Sequence, residues 1–174
     1  MQLVDVSHDI CDGMVTYPGL PAPSVGTHLS REAAEEIYGP GITFQIGMIE
    51  LCTNTGTYLD VPFHRYADGH DLTELALERV ADVPAVCIDA RGKKTIDLDP
   101  AALEGLTGHA VLIHTGHAQH WGTDAYFESH PYIPIVEHLR GLEALPTFGF
   151  QFSAVPPKIE GAGTFTVRAW ARID

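Results

Sequence analysis

The chain has 174 residues, 23 of them acidic and 10 basic, giving a formal net charge of −13. That length fits one domain spanning residues 1–174 and is too short for two ordinary ones. The charge argues against nucleic acid and anionic membranes as partners, because both need clustered Lys and Arg.

The N-terminus, MQLVDVSHDICDG, has no basic leader and no apolar h-region, so the expected compartment is the cytoplasm. LVDVSHDI alternates apolar and polar residues and predicts a first strand. DGMVTYPGLPAPSVG is dense in Pro and Gly and predicts an ordered loop. SREAAEEIYG predicts a short helix capped by Ser30 and stopped at Gly39. ITFQIGMIEL predicts a strand running into the polar stretch LCTNTGTYLDVPFHRYADGHDL, which places that stretch in a strand-end loop. LTELALERV has helical spacing, and PAVCIDA predicts an apolar strand. DPAALEGL predicts a helix capped by Asp99 with Pro100 at its first position. HAVLIHTG predicts a buried strand, and HWGTDAYFESHPY starts a helix. FGFQFSAVPP and GTFTVRAWARI predict two closing strands. Gly161 and Gly163 form a GxG with no helix pattern after it, which carries no weight as a dinucleotide signature. Cys11, Cys52 and Cys87 show no CxxC spacing, so reduced and mostly buried thiols are expected. The overall expectation is a mixed α/β domain.

The polar stretch carries the chemistry. Asn54-Thr55-Gly56-Thr57-Tyr58-Leu59-Asp60-Val61-Pro62-Phe63-His64 resembles the motif His-x-Gly-Thr-His-x-Asp-x-Pro-x-His of the cyclase family of metal-dependent hydrolases, which includes kynurenine formamidases (arylformamidases) and isatin hydrolases. Gly56, Thr57, Asp60, Pro62 and His64 match, and imidazoles are replaced at Asn54 and Tyr58. DVSHDICDGMVTYPGLPAP, RYADGHDL, LIHTGHAQHWGTDAYFESHP, IPIVEHL and FSAVPPKIEGAGTFTVRA extend the likeness over nearly the whole chain. The resemblance implies a swivelling β/β/α-type mixed-sheet fold, shortened by the loss of a segment before IPIVEHL. It implies metal donors at Asn54, Tyr58, Asp60 and Glu137 and a catalytic His64. It also implies a later donor histidine in that segment, for which this chain has no match. The implied cofactor is a divalent metal (Mn, Zn or Mg), and the implied substrate is a small amide, formamide or lactam of the kynurenine-catabolism type.

In that chemistry a divalent ion acidifies bound water and a histidine shuttles the proton to the leaving nitrogen. Oxygen donors at 54 and 58 shift the site from zinc toward Mg²⁺, Mn²⁺ or Ca²⁺. Tyr17 and Pro18 lie in a segment matching the family near its active site, and with Phe63, Tyr66 and Trp121 they are candidates for substrate walls. Other readings stand beside these. Asn54 suits an Asx turn ahead of Gly56, Tyr58 a half-buried aromatic, His64 a hydrogen-bonded loop histidine. Glu137 suits a helix-face pair with Arg140. His114 could face the site or be satisfied elsewhere, and His117, His120 and His130 are selected by no spacing. Two other functions fit the same residues: a non-catalytic member binding a small molecule or a partner subunit, and a metal-independent lyase or cyclase using Asp60 and His64. A lost segment would expose a sheet edge, so a homo-oligomer is expected.

Overall fold

The computed structural model describes residues 1–93, 95–96, 104–128 and 136–173. The predicted helix over DPAALEGL lies mostly outside those residues, as does His130. Ten strands are described: β1 (Gln2–Asp5), β2 (Ser24–Leu29), β3 (Ile46–Glu50), β4 (Tyr58–Asp60), β5 (Val83–Asp89), β6 (Ala110–His114), β7 (Val136–Glu137), β8 (Phe150–Val155), β9 (Thr164–Thr166) and β10 (Arg168–Ile173). Among the described residues there are two α-helices, α1 (Arg31–Tyr38) and α2 (Asp124–Glu128).

The main sheet has the order β1-β10-β8-β5-β6. Only β5 and β6 are parallel, so the sheet is mixed. Its packing face interleaves large and small residues. Ala169 pairs with Ala154 and Ala171 with Phe152, and the alanines leave room for Phe150, Phe152, Leu112 and Val6 in one core cluster. A two-stranded hairpin, β2-β3, stands apart from this sheet.

The third sheet, β7-β4-β9, positions the chemistry. Directly paired residues share a face of a sheet. Leu59 pairs with Val136 and Phe165, and all three join the core cluster. The alternate residues, Tyr58, Asp60, Glu137, Thr164 and Thr166, therefore line the opposite, polar face.

Most predicted elements are present, with informative differences. The Ser30 hydroxyl accepts from the Ala33 amide at 3.2 Å, and Gly39 follows the helix at φ 105°. The first strand ends at Asp5 because its carboxylate captures the Ser7 amide and hydroxyl. LTELALERV forms only a 3₁₀ turn at Leu77–Arg79. Leu72 is drawn into the core, its amide bonded to the Ala162 carbonyl, and Asp71 takes the Thr73 amide. HAVLIHTG is an edge strand, half-buried rather than buried. GTFTVRAWARI is two strands in two sheets: buried Val167 bonds to the Thr57 carbonyl, and the chain crosses from the small sheet to the large one there. The motif does not stop in a loop, since residues 58–60 form the central strand of the third sheet. Of the cysteines only Cys87 is buried, while Cys11 is exposed.

Candidate active site

Val61-Pro62 ends β4 in extended backbone and leads into a 3₁₀ turn at Pro62–His64. That turn brings His64 back toward β9. Thr164 stands directly opposite Asp60 and donates its hydroxyl to Asp60 Oδ1 at 2.6 Å. The same hydroxyl oxygen lies 2.7 Å from His64 Nδ1. Thr164 is buried, whereas His64 as a residue is exposed. Burial raises the Asp60 carboxyl above its ordinary range, and the Glu137 charge adds to this; Thr164 and His64 oppose it.

Asp60 and Glu137 thus share a face closely enough for their charges to interact. Glu137 is held from two directions. The hydroxyls of Tyr17 and Tyr58 both donate to its Oε2, at 2.5 and 2.6 Å. Burial foremost, then the bond to Glu137, pushes the Tyr58 phenol far above its ordinary value, so it stays protonated. His138, buried and at φ 57°, follows Glu137. Its Nδ1 lies 2.5 Å from the Tyr126 hydroxyl, and Tyr17, Tyr58, Trp121 and Tyr126 pack around its ring. Trp121 also stacks on His8 at 3.9 Å between ring centroids. Burial, with the Arg140 charge second, lowers His8 to about 4. Thr57 ties this region together, accepting from the His8 amide and donating to the His138 carbonyl.

The remaining sequence candidates spread out. Asn54 accepts from the Thr53 hydroxyl, and the Gly56 amide bonds to Thr16, so the expected Asx turn is not formed. Phe63 packs against the core cluster, while Pro18 and Tyr66 are exposed. Glu137 lies on a strand, which removes the helix-face pairing with Arg140. His70 is exposed beside Glu74, His114 faces Glu143, and His117 bonds the Tyr126 carbonyl. A groove of about 1600 Å³ runs along β6 and residues 136–143 and includes Glu137 and His138 but not Asp60, His64 or Thr164. The site is therefore defined by converging side chains and not by cavity size. Thr164, His138, Tyr126 and His8 were not singled out from sequence. The only signal for His138 was its place beside Glu137, and Thr164 follows the GxG at Gly161 and Gly163.

A family described as "Putative cyclase" matches residues 4–150 of this chain. The chain belongs to the cyclase family. Among curated proteins, this cyclase-family chain is 25% identical over 142 residues to a kynurenine formamidase of Bacillus mycoides, covering 80% of the chain and 59% of the relative. It is 28% identical over 141 residues to a kynurenine formamidase of Geobacillus thermodenitrificans, covering 79% and 62%. The chain thus spans about three-fifths of the length of these relatives. In structure it resembles isatin hydrolase A from Ralstonia solanacearum, with a TM-score of 0.73 at 19% identity over 99% of this chain and 92% of that one. A protein of Bacillus stearothermophilus described as a predicted metal-dependent hydrolase gives 0.65 at 21% identity, over 98% and 97%. The fold is the family's mixed-sheet α/β domain in a short, 174-residue form.

A divalent ion, implied by the family, does not fit the donors this cyclase-family chain presents. Tyr58 directs its proton at Glu137, and Glu137 Oε2 already takes two phenols. Asp60 Oδ1 takes the Thr164 proton. Among the described residues no group of three His, Cys, Asp or Glu side chains is arranged to hold a metal. A neutral phenol is a weak donor to a cation, so position 58 holds the carboxylate instead of adding to a coordination shell.

Proposed function

We propose that the chain is a hydrolase of a small amide, formamide or lactam in which His64 is the acid and base. The observation that carries this reading is the line Asp60–Thr164–His64 on the polar face of the third sheet, beside a carboxylate gripped by two phenols. His64 takes a proton from water as its oxygen bonds to the carbonyl carbon. It returns the proton to the nitrogen as the C–N bond breaks, giving a carboxylic acid and an amine. A Tyr17 or Tyr58 hydroxyl turned from Glu137 toward the substrate would donate to the developing oxyanion. The family kinship and the formamidase and isatin hydrolase relatives support the substrate class.

The test is hydrolysis of formanilide, isatin and a simple lactone by the purified full chain, with and without EDTA. The donor set predicts turnover of the formanilide or the lactam that survives the chelator. Activity that appears only with added Mn²⁺ or Zn²⁺ would contradict the metal-free reading, and no turnover on any substrate would sink the hydrolase. That last outcome would favour a non-catalytic small-molecule binder or partner subunit. One feature already points that way: Tyr58 and Glu137 close on each other.

The chain is further proposed to work as a homo-oligomer on a small-molecule substrate. The β2-β3 hairpin supports this, since Val25, Ile46, Met48 and Ile49 are all exposed on it. Among the described residues no helix is long and apolar enough to cross a membrane.

A further inference from the structure

A hydroxyl carries one proton, and in the line from Asp60 to His64 that fact fixes a tautomer. With Asp60 ionised, its carboxylate only accepts. The Thr164 proton is therefore committed to Asp60 Oδ1 at 2.6 Å. What Thr164 offers His64 at 2.7 Å is an oxygen lone pair, so the proton in that bond must come from Nδ1. We propose that Thr164 is a positioning residue that holds His64 as the Nδ1–H tautomer, leaving Nε2 as the nitrogen that exchanges protons with water and substrate. The catalytic consequence rests on the hydrolase reading; the tautomer does not.

Two further observations support the arrangement. Thr164 is only 2 % exposed, so water does not compete for its hydroxyl. Gly163 lets the strand approach. A Cβ there would sit 2.3 Å from the His64 amide nitrogen and 2.5 Å from its Cα, both backbone atoms. The Gly163 carbonyl meanwhile accepts from the Val61 amide at 2.8 Å. β9 is thus pinned against the turn that carries His64, at a distance only glycine permits. In this role Asp60 acts through a hydroxyl and orients the imidazole, as a partner hydrogen bond does wherever one ring nitrogen is reserved for chemistry.

The test is a long-range ¹H–¹⁵N spectrum of histidine side chains in the ¹⁵N-labelled full chain, at a pH where His64 is neutral. The His64 signals are assigned by their loss in His64→Gln. Wild type and Thr164→Ser are expected to show a protonated Nδ1 and a bare Nε2. Thr164→Val is expected to shift His64 to the Nε2–H form that free side chains favour in water. A wild type already in the Nε2–H form would overturn the proposal without any variant, and so would Thr164→Val retaining Nδ1–H. A parallel assay with formanilide and isatin separates the two readings. Thr164→Val should lower kcat roughly 10- to 100-fold with little change in KM, and Thr164→Ser should restore it. Valine turning over like wild type would remove the catalytic role. A wild type with the predicted tautomer and no turnover would instead sink the hydrolase reading alone.

Discussion

At Asp60, Thr164 and Glu137 the side chains do work that their residue types alone do not announce. Asp60 stood out as a candidate from its place in the motif, but its partner lies 104 positions on in sequence. No local pattern encodes that pairing, because strand register creates it. His138 escaped for a similar reason: its surroundings come from Tyr17, Tyr58, Trp121 and Tyr126, drawn from three separate segments. One prediction belongs to a single ring. His8 has a folded pKa lowered to about 4 from the ordinary 6.5, so the unfolded chain binds the extra proton between those values. Stability from this residue is complete above about pH 6.5 and is lost as pH falls toward 4. Thermal melts of wild type and His8→Gln should diverge in neutral buffer and converge at pH 4. Parallel curves across that range would contradict the assignment.

Elements carry the next level of argument. β4 is three residues long, yet it divides two chemistries: Leu59 faces the core while Tyr58 and Asp60 face the site. Truncating Leu59 to Ala should cost about 2–5 kcal/mol in denaturant unfolding, with the site side chains untouched; a loss under 1 kcal/mol would argue against its place in the core. Gly163→Ala should cost about 1–3 kcal/mol from overpacking against the His64 backbone. A neutral result would mean that β9 moves freely there. β1, β3, β5, β6, β8, β10 and α1 were legible because alternation and capping are local signals, whereas β2 was not, since Ser24–Gly26 fall in the stretch read as a Pro- and Gly-dense loop. β4, β7 and the break at Val167 were not, because each depends on which sheet the chain joins after folding. The leucines of LTELALERV show the converse, a helical period overruled by the pull of Leu72 into the core.

The whole molecule pairs a conventional packed sheet with a hairpin whose apolar side chains reach solvent. Val25 and Ile49 are cross-strand partners, and Met48 stands opposite Gly26. Apolar side chains exposed on both faces of the hairpin are a reason to associate through it. Light scattering of the full chain should give a mass of two or more protomers, and Met48→Lys with Ile49→Lys should reduce it to one. A monomeric wild type would contradict the proposed oligomer. The fold was legible in outline, since the family resemblance spans nearly the whole chain. The metal reading carried over from that resemblance was not secured by it, because positions 54 and 58 hold an amide and a phenol.

On the proposed reading, those substitutions leave the His64 imidazole as the group on which the reaction depends. The most direct measurement is kcat/KM of wild type and His64→Ala on whichever formamide or lactam the full chain hydrolyses, with circular dichroism confirming that both are folded. The account predicts a fall of roughly 100-fold or more. A folded His64→Ala protein that retains wild-type turnover would contradict it.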